Sequence, residues 1–345
     1  METAYCGLEL GSSKCVLGVR DEKGETVHGA EFETSEKNLI AAFREIPFPK
    51  VVHMESTELA PWVRSVLLRR KIPKIERVII SDPKRNAWIA KDTVKNDKVD
   101  AFKLAELARV GCFHEVYYAE EKDRYEFKIL VRHHERLTRE AVRQKHQIKA
   151  ILRAQGVIVK GESMYSAEGR VRVLNQVRSE IPHKIAKEQF EILDRILEER
   201  KEALELMKRE SKKFPEIRLF VDVTGIKAIL ACRFSAYIQT PFRFKTRKRL
   251  LRYCRLGITD RTSDGKPLAR KRLDRCGVGS LKDVSRKAFN ACLRSKEDNL
   301  FKRAYRSTLQ RTHSETHARL STQRKILVVL WTLWRKNVPF RDERG

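Results

Sequence analysis

Cysteine is scarce and odd in number: seven in 345 residues, scattered from Cys6 to Cys292. That argues against a secreted scaffold, which is dense in paired cysteines. The close C-x₂₋₄-C pairs of zinc sites are missing too, so Cys232, Cys254, Cys276 and Cys292 read as buried or incidental. His133-His134 has no metal-ligand pattern around it. No apolar run approaches the ~18 residues of a membrane span. Met1–Tyr5 leads straight into an apolar strand, without the layout of a signal peptide. No internal repeat or low-complexity tract stands out. The expectation is a soluble protein of a reducing, cytoplasmic compartment.

The other shortage is of acidic charge. The chain has 74 Lys+Arg against 46 Asp+Glu, a formal net charge of +28. From Pro241 to Gly345 there are 29 basic and 9 acidic residues, so +20 of that excess sits in the last 105 residues. A solvated surface mixes both signs. A one-sided field attracts polyanions and gains from counterion release at phosphates. Nucleic acid is the expected partner. A membrane surface fits poorly, because the basic segments lack an amphipathic stripe with aromatic anchors. Hydrophobic residues make up 41%, enough for packed cores, and the length accommodates two or three domains.

Hydrophobic patterning predicts a mixed α/β start. Tyr5–Leu10, Cys15–Arg20 and Val27–Glu33 read as strands, with GSSK and DEKGE as turns. A helix over Ser35–Arg44 follows, with Ser35 as N-cap. Val51–Met54 is a short strand ended by Glu55, and Pro61 suits the first turn of a helix running to Arg70. Arg77–Ser81 is a buried strand ended by Asp82-Pro83. Helical spacing then runs from Asp97 to Val110 and closes at Gly111.

The middle is long, charged and helical, over His134–Gln155 and His183–Lys212. In the second, Phe190, Leu193, Leu197, Leu204 and Met207 fall on heptad a and d positions, interrupted by Arg200. This predicts an antiparallel helical arm or a coiled-coil dimer seam. Gly156–Glu180 between them is polar and ambiguous, the expected tip of the arm. Beyond Phe214-Pro215, Ile217–Leu256 reads as helical around Val223-Thr224-Gly225-Ile226-Lys227. Arg261–Lys271 is a polar loop, and helices resume at Leu281–Leu293 and Ser321–Trp334. Trp331 and Trp334 read as core. Arg243, Lys245, Arg247, Lys248 and Arg249, interleaved with Phe242 and Phe244, read as phosphate contacts.

Four acids carry the chemistry. Glu9 and Glu55 end strands, and Asp97 and Asp100 lie three apart on one helical face. Their convergence would give a four-carboxylate site. Hard oxygen ligands in that number suit two Mg²⁺, which stabilise attacking and leaving oxygens in phosphoryl transfer. Taken singly, each acid also fits a cap or a solvated charge.

The segment VIISDPKRNAWIAKDTVKNDKVDAFKLAELA resembles the signature of the bridge-RNA-guided DEDD transposases, the insertion-sequence family that includes the Piv invertases. Met54-Glu55-Ser56-Thr57, Asp82-Pro83 and Lys95-Asn96-Asp97-Lys98-Val99-Asp100-Ala101 stand where that family has its acid strand end, its turn and its Thr-Asp-x-x-Asp-Ala helix start. Gly7-Leu8-Glu9 stands for its Gly-Ile-Asp. Farther on, VDVTGIKAIL resembles the family's helix-hairpin-helix turn, and YCRLGITDRTSDGK its serine segment, which places Ser263 on the catalytic serine. RLDRCGVGSL follows where the family has Lys-x-Gly-Asn-x-x-Leu. The chain departs at Glu9, one methylene and ~1.5 Å longer than Asp. It departs also at Lys227, Val278 and Asp264.

The resemblance implies a RuvC-like, ribonuclease-H-fold domain (about 1–125), a helical coiled-coil arm (126–213) and a basic, mostly helical domain (214–345) holding Ser263. It implies that Glu9, Glu55, Asp97 and Asp100 bind Mg²⁺, two ions in sites of this type, while Ser263 attacks a DNA phosphate. Arg261 and Lys266 would help hold that phosphate. The implied partners are target and donor DNA, a structured guide RNA, and further copies of the chain in a dimer or tetramer, the acids of one protomer serving the serine of another. The implied setting is the nucleoid of a bacterial or archaeal cell. Two other readings remain open from the residues: a Holliday-junction-type nuclease that uses water, and an impaired nucleic-acid-binding relative whose Glu9 no longer supports metal. Read alone, Ser263 is an ordinary turn serine.

Overall fold

Alternation and glycine placement organise the first of two compact units, Met1–Tyr118. The computed structural model describes residues 3–69, 72–83, 96–119, 122–259 and 272–342, and the backbone of 262–263 and 266–267. Three strands, β1 (Ala4–Leu10), β2 (Lys14–Arg20) and β3 (Thr26–Glu33), form an antiparallel meander. Asp21 closes its second turn by accepting from the amides of Lys23 and Glu25 at 2.9 and 2.8 Å. Helix α1 (Glu36–Arg44) begins at Ser35, whose hydroxyl accepts from the Asn38 amide. Strand β4 (Lys50–Glu55), helix α2 (Ala60–Leu68), strand β5 (Ile75–Ser81) and helix α3 (Asp97–Val110) complete the unit. The sheet order is β3-β2-β1-β4-β5, with β1, β4 and β5 parallel. All the expected elements appear, most bounds shifting by one or two residues.

The two sheet faces differ. Ala4, Cys6 and Leu8 of β1, with Leu17, Val52 and Met54, pack under Leu39 and Phe43 of α1 and Val63, Val66 and Leu67 of α2. The opposite face carries α3. Gly7, Gly18 and Gly29 pair across β1, β2 and β3 to make a shallow row there. A Cβ on Gly7 would stand 1.9 Å from the Ala101 carbonyl oxygen, and one on Gly18 would meet the Phe102 ring at 2.9 Å. The helix lies directly on the backbone, a placement only glycine permits.

The second unit, Ala119–Gly345, is helical. Its arm is an antiparallel pair, α4 (Lys122–Ala154) and, beyond α5 (Ala167–Leu174), α6 (Glu180–Ser211). Gln144 donates to the Gln189 carbonyl midway along the pair, and Lys213 meets Asp123 at its root. The heptad side chains are therefore used within the chain: Phe190 and Leu193 in a core at the tip, Met207 in a core at the root. One expectation needs correction, and the ambiguous segment at the tip gains a helix. Helix α4 starts twelve residues before His134, because Phe127 and Val131 extend its apolar face into the root core. The segment 156–180 contains α5, capped by Ser166 and anchored by Met164 and Val173 in the tip core.

The root core continues into the C-terminal helices. These are α7 (Glu216–Val221), α8 (Ala228–Ile238), α9 (Arg247–Tyr253), α10 (Gly279–Arg294), α11 (Leu300–Thr312) and α12 (Glu315–Lys336). Sequence reading missed α11, whose N-cap Asn299 accepts from the Phe301 and Lys302 amides. Trp331 is buried and donates to the Pro241 carbonyl at 2.8 Å, and the half-buried Trp334 meets Phe220 edge-on. Between α9 and α10 the described residues include four two-residue strands, β6 (Ile258–Thr259), β7 (Thr262–Ser263), β8 (Lys266–Pro267) and β9 (Arg272–Leu273). Strand β6 pairs with β9, and β7 with β8. No helix among the described residues is long and apolar enough to cross a membrane.

Candidate active site

Strand alternation aims two acids at α3. Gly7 faces that helix, so Glu9, two residues on, faces the same side. His53 of β4 reaches the Leu104 carbonyl of α3 through Nδ1 at 2.8 Å, so Glu55 also points to this side. The register pairs Leu8 with Met54, which makes Glu9 and Glu55 neighbours on the next rung. Glu55 in turn pairs with Ser81 of β5.

The direction of α3 brings two more acids to that end. Phe102 accepts from Arg20 at the end of β2, and Arg109 reaches past it to the Glu22 carbonyl. These contacts lie beside the start of β1, so the helix runs antiparallel to β1. Its first turn, with Asp97 and Asp100, therefore lies toward the strand ends that carry Glu9 and Glu55. Asn96 caps that turn by accepting from the Lys98 amide at 2.9 Å. Asp97 is exposed, whereas Asp100 is buried, 3.7 Å from the Lys103 ammonium. Among the described residues, no three His, Cys, Asp or Glu side chains are drawn together as a metal-holding group. The four acids share one end and one face of the unit, and their all-carboxylate donor set is the kind Mg²⁺ takes.

Sequence reading overlooked His53. It is fully buried, and burial holds its pKa down to about 4. The neutral ring donates from Nδ1 to the Leu104 carbonyl, so its Nε2 accepts from Ser81 Oγ at 2.8 Å. One side chain thus bonds β4 to both α3 and β5. Its position two residues before Glu55 was the only signal available.

In the second unit, Ser263 pairs by backbone with Lys266 across β7 and β8. The side chains of both, and the whole of Arg261, lie outside the described residues. Lys245, Arg247, Lys248 and Arg249 are exposed, as is Phe242. Arg243 is half-buried, its guanidinium 4.5 Å from the Tyr253 ring centroid and 5.0 Å from that of buried Phe244. Ser280, in the first turn of α10, is committed elsewhere: its hydroxyl donates to Glu135 at 3.1 Å. Tyr237 donates to the same carboxylate, and Arg233 lies 3.1 Å from it. Burial, then that carboxylate, pushes the Tyr237 hydroxyl up to about 12. This network joins α4 to α8 and α10.

Two family models match the chain. A model of IS110-type DEDD transposases matches residues 6–155, from β1 through α4. A model of the transposase IS116/IS110/IS902 family matches residues 217–306, from α7 into α11. The chain belongs to the IS110-type transposases. It is thus an enzyme of DNA strand transfer and binds DNA. The matches leave out the whole of the arm beyond α4, and α12. Both the acid-bearing unit and the serine segment fall inside them. No curated protein matches the chain.

Proposed function

We propose that this IS110-type transposase is an RNA-guided recombinase that exchanges DNA strands through a covalent Ser263–DNA intermediate. Glu9, Glu55, Asp97 and Asp100 are the residues that would hold Mg²⁺, as a pair of ions. The observation that carries this reading is the shared end of the first unit: Glu9 and Glu55 close neighbouring parallel strands on the face covered by α3, whose first turn carries Asp97 and Asp100. The strand order β3-β2-β1-β4-β5 with acids at these two strand ends fits a RuvC-like, ribonuclease-H-type domain.

The chemistry asked of the chain is balanced. Ser263 Oγ would form one bond to phosphorus as the bond from phosphorus to the leaving deoxyribose oxygen breaks. The hydroxyl proton is lost from Oγ, and the leaving oxygen takes one up. The serine ester conserves the phosphodiester bond, so religation to a new end needs no nucleotide triphosphate. Bound Mg²⁺ would supply charge neutralisation at the phosphate and a lowered hydroxyl pKa. The exposed cations Lys245, Arg247, Lys248 and Arg249 would contact phosphates of DNA or guide RNA. Further copies of the chain would complete a dimer or tetramer.

The deciding experiment is a denaturing gel of the chain incubated with guide RNA, labelled donor and target DNA, and Mg²⁺. A protease-sensitive, protein-linked DNA band is expected. Cleavage without that band would assign the enzyme to the water-using junction nucleases.

A further inference from the structure

The basic residues assigned so far leave one cationic feature unexplained. A cleft of ≈ 1160 Å³ opens among the end of α9, the β6–β9 pair and the first turns of α10. Arg255, Arg272, Arg275, Lys282 and Arg286 line it, with Asp274 and Asp283. The two acids are already engaged. Asp274 holds Arg252 at 2.6 Å and accepts from the Cys276 amide at 2.8 Å, the bond that does most to keep its carboxyl below the usual range. Asp283 is shared among Arg233, Arg286 and Lys287.

Among the described residues, no carboxylate lies within ion-pair distance of Arg255, Arg272, Arg275 or Lys282. The arm behaves differently. There Lys201, Lys208 and Arg170 each hold an acid, Glu198, Glu205 and Asp194. Four uncompensated cations on one concave wall focus a positive potential into the cleft. Arginine forks match phosphate oxygens in pairs, and a lysine adds a point charge.

The wall is also fixed. Gly277 has a φ of +107°, and a Cβ there would lie 2.3 Å from the Tyr253 carbonyl oxygen. Arg255 Nε donates to the Gly277 carbonyl at 2.7 Å, and the Val278 amide donates to Tyr253 at 2.7 Å. Thr259 Oγ1 donates to the Arg272 carbonyl at 3.1 Å, tying β6 to β9. Those two strands are the ends of the segment that carries Ser263. Ser263 is four residues past Thr259, so the chain keeps the two Cα atoms within about 14 Å.

We propose that this cleft seats the backbone of the DNA strand that Ser263 attacks, with Arg255, Arg272, Arg275 and Lys282 on phosphates flanking the scissile one. The choice of substrate strand rests on the serine reading above; the cation cleft itself does not.

The cleft contains its own reporter. Cys276 is exposed and free in its wall, and Cys112 is exposed and free in the first unit. Iodoacetamide alkylation of both thiols in the full chain is to be timed by peptide mass spectrometry. The runs compare no nucleic acid, a short mixed-sequence DNA duplex, and an RNA duplex of the same length. With DNA at ten times its Kd, Cys276 should slow about tenfold by mass action, and Cys112 should not change. The double variant Arg275→Gln/Lys282→Gln should lose that protection, and the salt slope of DNA binding should fall by about 2. Lys201→Gln/Lys208→Gln, on the arm, should keep the protection. Full reactivity of Cys276 with DNA bound, equal protection of both thiols, or protection by RNA alone would each overturn the proposal. Ser263→Ala should keep the footprint and lose the adduct. A footprint on a wild-type chain that forms no adduct removes the serine reading and keeps a DNA cleft. Adduct formation by Arg275→Gln/Lys282→Gln at the wild-type DNA dependence removes the cleft and keeps the serine.

Discussion

His53 donates a 2.8 Å hydrogen bond to the carbonyl of Leu104, so the strand that ends in Glu55 is bonded to the helix that begins with Asp97. The other ring nitrogen, Nε2, accepts from Ser81 Oγ at 2.8 Å, and that bond requires a neutral ring. The native pKa is about 4 against an ordinary 6.5, because burial opposes the charged form. The contribution of His53 to stability is therefore complete above pH 6.5. As pH falls from 6.5 toward 4, the unfolded chain takes up a proton that the folded chain refuses, and stability is lost. The loss reaches about 3 kcal/mol by pH 4. Calorimetric unfolding of the first unit should show this decline between pH 7 and 4. In His53→Gln the slope in that window should flatten by up to about 1.4 kcal/mol per pH unit. An unchanged slope would mean that the imidazole is not held neutral.

Gly7 sets how closely α3 approaches β1. A methyl group there meets the Ala101 carbonyl oxygen at 1.9 Å and the Ala105 nitrogen at 2.4 Å, both backbone atoms. Gly7→Ala should therefore push the first turn of α3 away from the strand ends. We expect a loss of about 3 kcal/mol or more in chemical denaturation, at the upper end of overpacking costs. Strand transfer should fall even below the melting temperature. A variant as stable and active as wild type would show that α3 does not rest on this glycine.

Asp97→Ala and Asp100→Ala should each abolish strand exchange while leaving guide-RNA binding nearly intact. Their folding should differ, because Asp97 is exposed and Asp100 is buried near Lys103. Asp97→Ala should melt within about 0.5 kcal/mol of wild type, the usual range for a surface change. Asp100→Ala removes a buried carboxylate 3.7 Å from the Lys103 ammonium and should be less stable. Recombination above a trace in either variant would remove the four-acid site.

Ser263→Ala should bind DNA and RNA with the wild-type salt slope, since no charge changes, and should form no covalent adduct. Ser280→Ala is the control. Its hydroxyl bonds to Glu135, so its loss should cost about 1 kcal/mol of stability and leave the adduct in place. The reverse pattern would move the nucleophile to α10.

The sequence by itself determined the elements and the order of the acids. Alternation in β1 and β4, the cap residues Ser35 and Asn96 and the terminator Gly111 are local signals, and each acts through its immediate neighbours. The heptads of the arm were legible as well, although not whether they pack within the chain or between chains. Tertiary structure decided the rest. The row Gly7, Gly18 and Gly29 becomes a seat for α3 only once three strands are in register. The start of α4 and the whole of α11 depend on Phe127 and Phe301 finding a core built from distant helices. His53 and Glu135 look like ordinary polar residues in the sequence. Each became a joint within its own unit because folding buried them beside Leu104 and Ser280, partners 51 and 145 residues away. Desolvation then made those hydrogen bonds obligatory, and no local pattern encodes desolvation.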